Sequence, residues 1–330
     1  MTLLEQQQSV PLVSVVIPTR NRRPLLARAL RSAFQQTYSN IEVIVVIDGP
    51  DSDTRDFLDT VSDTRLHVIA LEENVRGGEA RNIGVRAASG SWIAFLDDDD
   101  EWLSTKLEKQ LDAVLKAGQG VNFAGCKWDA RMPNDREICP DRFPSADEDW
   151  SEYVYVDGQT VPSSAYLVKR ELMMDTPFIK GLSFNQDIDW ILRAWKKNTL
   201  HPVWLEEAFV IYHADDNRPR TSKIPDWKFP LQWAEANRST FLSGRAFAYC
   251  ILVGILPRAR KAPNAFPVIF MLFRKALASG NADLKYCIRF AMRALLGLGP
   301  KDLIRILRRP FLREQLAPAS SVTTPSEGAQ

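Results

Sequence analysis

Phe95 to Trp102 reads FLDDDDEW, five acidic residues in succession directly after an apolar run. Neighbouring carboxylates about 6 Å apart repel by about 2–3 kcal/mol per pair at an effective dielectric near 20. Several such terms would offset much of a domain's net stability. Two arrangements relieve the repulsion: full exposure, where water screens the charges, or a divalent cation that converts repulsion into ligation. This cluster follows an apolar run and has apolar and aromatic flanks, which favours the cation, a hard ion such as Mg2+ or Mn2+. Mg2+ usually takes only one or two protein carboxylates and completes its shell with phosphate oxygens, so the cluster implies a nucleoside diphosphate ligand. The regular spacing and distant Glu of an EF-hand are missing.

The elements that must position this cluster can be read from apolar runs. VSVVIPT (Val13 to Thr19), IEVIVVID (Ile41 to Asp48), LHVIAL (Leu66 to Leu71) and SWIAFLD (Ser91 to Asp97) are short and continuously apolar. Such runs fit parallel strands buried between helices. Pro24 stands where a first helical turn begins, and Leu26, Ala29, Leu30, Ala33 and Phe34 then repeat at helical spacing. Thr105 and Glu108 have capping-box spacing; Leu107, Leu111, Val114 and Leu115 follow on one face, with Gly118 as the stop. Alternating strands and helices predict a doubly wound α/β domain. In such sheets the ligand crevice lies beyond the carboxyl ends of the strands. Pro18-Thr19, Asp48-Gly49 and Asp97 to Asp100 stand at three such ends and aim polar groups at one edge. Arg131 to Asp157 is polar, Pro-rich and without periodicity, and reads as a long loop; PSSAYLVKREL and NQDIDWILRAWKK resume regular structure.

Composition bounds the partners. The chain has 330 residues and a net charge of +1, so overall charge implies no nucleic-acid partner. Cys126, Cys139, Cys250 and Cys287 form no CxxC pair, which argues against a zinc ribbon or thioredoxin-type site and fits free thiols in a reducing cytoplasm. The N-terminus lacks a signal-peptide pattern. No apolar run approaches the ~20 residues needed to span a bilayer. AFAYCILVGIL (Ala246 to Leu256) is the nearest and reads as a soluble segment or one lying on a surface. Beyond Ser243 the pattern is helical and basic. Basic amphipathic helices either lie in an anionic membrane surface or pack on the α/β domain with their charges in water. The last residues have disordered-tail composition.

VSVVIPTRNRRPLLARALRSAFQQTYSNIEVIVVIDG, followed by NVRGGEARNIGVRAASGSWIAFLDDDDEW, resembles the GT-A-fold glycosyltransferases of family 2. The resemblance runs from about Leu12 to His213, and the joint order of its motifs is more specific than a DxD alone. It implies a GT-A domain over 1–240, with a doubly wound, mostly parallel sheet, a basic helical extension over 241–316 and a tail over 317–330. It also implies metal-dependent, inverting transfer from a nucleotide-diphosphate sugar, a UDP-sugar first among them, to a saccharide or lipid-linked acceptor. Envelope or exopolysaccharide synthesis at the inner face of the cell membrane follows by analogy, with peripheral membrane contact through 241–316.

Carried over residue by residue, Pro18, Thr19 and Arg20 line the nucleoside pocket, Asp48 reads the base edge and Arg81 stands near the nucleotide. Asp97 and Asp99 form the DxD, Asp97 towards the ribose and Asp99 on Mg2+ or Mn2+, with Asp98 at the variable middle position of the donor site and Asp100 in support. The family's acceptor-side ED pair reads NQDIDWILR here: Asp187 is the candidate base, Asp189 and Arg193 support it, and Gln186 replaces the usual Glu. His213, after another apolar stretch, is either a metal ligand or a structural histidine. Gly77-Gly78 either bring backbone N–H groups to a phosphate or form a flexible turn.

Two rival readings remain. A sugar-nucleotide pyrophosphorylase would carry a Gly-rich, Lys-containing loop after its first strand, where this chain has PTRNRRPLL. A non-catalytic module binding nucleotide or membrane is favoured only by Gln186.

Overall fold

The computed structural model describes residues 10–132, 135–213 and 226–279. Its first half alternates as the apolar runs predict: β1 (Val13–Thr19), α1 (Arg23–Phe34), β2 (Ile41–Ile47), α2 (Ser52–Asp59), β3 (Leu66–Ala70), α3 (Arg76–Ala87) and β4 (Trp92–Phe95). β1 pairs in parallel with β2 and β4, and β2 with β3. β1, β2 and β4 are buried almost throughout, which is why they carry no polar alternation.

Strand order reverses at β1, since the sheet runs β3-β2-β1-β4, and a crevice is expected at that switch point. Pro18 helps to open it. The β1–β4 ladder ends at Val16 and Phe95, with the Leu96 N–H donating to the Val16 carbonyl at 3.1 Å. Residues two apart on a strand direct their backbone groups to the same side, so the N–H that Pro18 lacks lies on the β4 side. No ladder bond can form there, and the acidic turn departs from the sheet. On the other side the Asp48 N–H still donates to the Thr19 carbonyl at 2.8 Å.

The chain continues through β5 (Asp100–Trp102), α4 (Lys106–Ala117), β6 (Phe123–Met132), β7 (Asp135–Cys139), α5 (Trp150–Tyr155), a 3-10 turn (Ser163–Ala165), β8 (Leu167–Lys169), α6 (Arg170–Asp175), α7 (Gln186–Lys196) and β9 (Pro202–His213). This half makes the sheet mixed. β8 runs antiparallel to β4 and β6, and β5 antiparallel to β9, while β6 and β9 are parallel.

Several local expectations give way to tertiary contacts. Part of 131–157, read as loop, is the β6–β7 hairpin and α5. Its polar residues are held by pairing, with buried Asp129 accepting from Arg131 Nε at 3.1 Å and Arg136 Nε at 2.8 Å. The capping box does not close: Thr105 makes no side-chain cap, and Glu108 accepts instead from Thr37 Oγ1 at 2.7 Å. Leu107, Leu111 and Val114 are buried as expected, whereas Leu115 lies 55% exposed on the outer side of α4.

The C-terminal described part comprises α8 (Lys228–Asn237), α9 (Gly244–Tyr249), a π-helical turn (Cys250–Ile255), α10 (Leu256–Ala259) and α11 (Ala265–Ala278). AFAYCILVGIL is core rather than a surface segment: nine of its eleven residues are buried, all but Val253 and Gly254. Burying each of its larger aliphatic side chains contributes about 1.5–3 kcal/mol. It is held to α5 by the Ser243 N–H donating to Ser151 Oγ at 3.0 Å and Ser243 Oγ donating to Glu152 Oε1 at 2.7 Å. No described helix is long and apolar enough to cross a membrane. Cys126, Cys139 and Cys250 are buried, and burial pushes their thiols up to about 11, 11 and 12. Residues 280–316 of the expected extension, the tail 317–330 and Cys287 lie outside the described residues.

Candidate active site

Three strand ends and one helix start build the site. The acidic turn after β4 is sorted into presented and withdrawn carboxylates. Asp97 is a third exposed and accepts from Arg81 Nη2, while its own N–H donates to Ser164 Oγ at 3.1 Å. Asp99 is a fifth exposed and lies 3.4 Å from Arg22 Nη1, and its carbonyl accepts from Arg28 Nη2 at 2.7 Å. Asp98, expected in the donor site, is instead turned inward, accepting from Thr19 Oγ1 at 2.8 Å and Arg22 Nη1 at 3.0 Å. Burial pushes its carboxyl up to about 6, with Arg22 opposing the rise and Asp99 adding to it. Asp100 is withdrawn further. Its Oδ2 accepts from Ser164 Oγ at 2.6 Å, and its Oδ1 is buried with no hydrogen-bond partner among the described residues. Burial first, then the charges of Asp97 and Asp99, hold its carboxyl well above the usual range.

Thr19 thus spends its hydroxyl on Asp98, beside half-buried Pro18, and Arg20 is exposed at the same strand end. Asp48, after β2, is buried and ties down the approach to α3: Oδ1 accepts from the Val75 N–H at 2.7 Å and Oδ2 from Asn74 Nδ2 at 3.0 Å. His213, at the end of β9, lies beside the acidic turn because β9 pairs with β5; its Nε2 is 3.2 Å from Glu101 Oε2.

Arg81 is the hub. Buried on α3, it reaches Asp97 through Nη2 and Gln186 Oε1 through Nη1 at 3.0 Å, with its guanidinium 5.7 Å from the Phe178 ring centre. Gln186 Nε2 donates to the Leu182 carbonyl at 2.7 Å, so its amide accepts and donates at once, which a carboxylate cannot do. Half-buried Asp187 follows on α7, its Oδ1 accepting from the Ile188 N–H at 2.9 Å. Loss of hydration raises its carboxyl above the usual range; the Ile188 N–H opposes this, Asp97 adds to it and Arg81 opposes it. Asp189 faces the core, fully buried, accepting from Arg193 Nε at 2.7 Å and Trp233 Nε1 at 2.9 Å. Arg193 also donates to the Pro177 carbonyl at 2.9 Å, so the pair anchors α7 and does not line the crevice.

Gly77 and Gly78 lie inside the first turn of α3. A Cβ on Gly77 would stand 3.2 Å from Arg81 Nη1 and 3.4 Å from Gln186 Oε1, and one on Gly78 3.4 Å from Phe178 Cβ. They let the segment leading into α7 pack onto α3, so they form no flexible turn. Sequence reasoning missed Arg22, Arg28, Ser163 and Ser164. The basic run directly after β1, RNRR, signals Arg22, and the hydroxyl pair in PSSA signals the two serines, while Arg28 carries no such signal.

Among the described residues no three His, Cys, Asp or Glu side chains are grouped to hold a cation alone. The donor types nonetheless fit Mg2+ or Mn2+, which need only one or two protein carboxylates beside a diphosphate. Asp97 and Asp99 are the two partly exposed ones.

Residues 14–155 match the family model for glycosyl transferase family 2. Over 117 residues the chain is 39% identical to the putative teichuronic acid biosynthesis glycosyltransferase TuaG of Bacillus subtilis, covering 35% of this chain and 46% of that one. Over 245 residues it is 26% identical to the amylovoran biosynthesis glycosyltransferase AmsB of Erwinia amylovora, covering 72% and 81%. Over 105 residues it is 37% identical to the Escherichia coli UDP-Glc:alpha-D-GlcNAc-diphosphoundecaprenol beta-1,3-glucosyltransferase WfgD, covering 32% and 42%. The match thus spans less than half the length of TuaG and WfgD. Among solved structures, Staphylococcus aureus TarS 1–349 in complex with UDP-GlcNAc superposes with TM-score 0.59 at 16% identity, covering 89% of this chain and 90% of that one. A mannosyltransferase from Pyrobaculum calidifontis in complex with GDP-Man and Mn2+ does so with TM-score 0.50, covering 91% and 85%. The shared fold is GT-A.

Proposed function

Because residues 14–155 belong to glycosyl transferase family 2, we propose that this chain moves a sugar from a nucleotide-diphosphate sugar, a UDP-sugar first among them, to a hydroxyl of a saccharide or lipid-linked acceptor, with inversion. The setting is cell-envelope or exopolysaccharide synthesis at the inner face of the membrane, with the basic stretch 241–316 towards the lipid. One observation carries the reading. Arg81 joins Asp97, at the end of β4, to Gln186, the residue before Asp187, so groups suited to hold a donor share a cluster with a carboxylate suited to activate an acceptor.

In this mechanism Pro18, Thr19, Arg20 and Asp48 border the nucleoside at the β1 and β2 ends, with Asp97 towards the ribose and Arg81 beside the nucleotide. Asp98 and Asp100 hold the acidic turn in place, and Asp189 with Arg193 fixes α7. Asp187 accepts the proton of the acceptor hydroxyl, and a raised carboxyl makes it the stronger base. The acceptor oxygen bonds to the anomeric carbon as the bond to the diphosphate breaks on the opposite side, a single displacement that inverts the centre. Asp99 and His213 would hold Mg2+ or Mn2+, which when bound neutralises charge on the departing diphosphate. Gln186 gives no support to a non-catalytic module, since its amide matches both of its partners.

Calorimetric titration with UDP, GDP and dTDP, with and without Mn2+, tests the reading. One nucleotide should bind in a Mn2+-dependent way, with Asp99→Ala weakening it on the order of 100-fold. Binding of none of the three, or unchanged affinity in Asp99→Ala, overturns it.

A further inference from the structure

α11 buries Ile269, Leu272 and Ala276 against the π-helical turn and its neighbours. A surface helix with one buried stripe normally carries polar residues on its remaining faces. Here a second apolar line follows: Phe266, Phe270, Phe273 and Leu277 recur at i, i+4, i+7 and i+11, and so share a flank. Phe266 is 69% and Phe270 56% exposed, while Phe273 and Leu277 are half-buried. Arg274 beside this line, and Arg260 and Lys261 in the turn before the helix, are exposed as well. From Ala236 to Ala282 the sequence has seven Arg or Lys and no Asp or Glu. The nearest acid before this stretch, Glu235, is paired with Lys275 at 2.5 Å.

Exposed rings flanked by the exposed cations Arg260, Lys261 and Arg274 suit the boundary of an anionic bilayer, where the rings enter between headgroups and the cations meet lipid phosphates. We propose that this flank of α11 docks on an anionic lipid bilayer. A second copy would bring the same positive rim against itself across a twofold contact. The chain after Ser279 would also bring like charge, with eight Arg or Lys against three Asp or Glu over 280–316. Charge therefore selects the lipid surface over either. The face rests on the membrane-side reading above and is independent of the donor chemistry.

The test is sedimentation of the full chain with sucrose-loaded vesicles of phosphatidylglycerol and phosphatidylethanolamine, against vesicles of phosphatidylcholine alone. The wild type should bind the anionic vesicles, more weakly as salt rises. Phe266→Ser with Phe270→Ser should lower the affinity at least tenfold, as should Arg260→Gln, Lys261→Gln and Arg274→Gln together. Nucleotide affinity should not change in either variant, so vesicle binding and donor binding fail separately. Absence of wild-type binding to anionic vesicles, or full binding by the Phe variant, overturns the proposal. So does lipid-free self-association that the Phe substitutions abolish, which would assign the face to a second copy. A fall in Tm beyond about 4 °C in the Phe variant would show that the chain itself covers the face.

Discussion

After β4 the chain carries Asp97 to Asp100 in a turn; at the start of α7 it carries Asp187 and Asp189 in one helical turn. Both regions present alternate carboxylates and withdraw the others. In the first, Asp98 and Asp100 are withdrawn by groups from distant parts of the chain, Thr19, Arg22 and Ser164, between 64 and 79 residues away. In the second, Asp189 is held by Arg193 one turn along its own helix and by Trp233. Positions two apart in a helix point about 200° apart, so Asp187 and Asp189 separate by local geometry alone. The turn after β4 has no such rule, and only its packing decides which acid faces the crevice.

The strongest test of this division is Asp187→Asn. Transfer should fall about 10³-fold, the usual scale for a positioned base, with nucleotide affinity unchanged by calorimetry. Unchanged transfer would remove the presented acid of α7 from the mechanism. Asp189→Ala comes next. It strands the Arg193 guanidinium and the Trp233 indole N–H, and should cost about 3–5 kcal/mol in urea unfolding. Loss of transfer in a variant of wild-type stability would instead make Asp189 a crevice residue.

The smallest effect concerns the cation nearest the first region in sequence. Lys106 is fully buried, donates to Gln110 Oε1 at 2.8 Å and lies 4.1 Å from the Trp102 ring centre. Burial pushes it down to about 8 from 10.5, with Cys126 opposing and no aspartate involved. Between those values the unfolded chain binds more protons at this side chain than the folded one, so the Lys106 contribution to stability rises with pH across about 8 to 10.5, by about 3 kcal/mol at most, against the fall that the raised thiols of Cys126, Cys139 and Cys250 impose above about 9. In urea titrations the stability of the wild type relative to Lys106→Met should therefore rise with pH across that range. A difference of opposite sign would mean that Lys106 does serve the acidic turn.

Sequence reasoning succeeded where one short segment carries the information. The four parallel strands and the inward face of α1 follow from continuous or periodic burial, and Asp97 to Asp100 stand at a strand end because the apolar run stops there. It failed where a distant partner overrides a local pattern. Thr105 and Glu108 have the right spacing for a cap, but Thr37 takes the carboxylate. The polar stretch after Arg131 shows no alternation, yet β6 pairs with it across the hairpin. The flexible-turn alternative for Gly77-Gly78 also gives way, since both lie in the first turn of α3 under the close approach of Gln186.

By itself the sequence determined the strands, the edge at which they end and the kinds of group gathered there, because apolar periodicity and strand-end position are properties of neighbouring residues. Only the tertiary structure decided which carboxylates face outward, that Arg81 ties Asp97 to Gln186, and that Ala246 to Leu256 lies in the core while Phe266 and Phe270 do not. Those outcomes depend on the desolvation and pairing of groups far apart in the chain, which spacing along a sequence does not record.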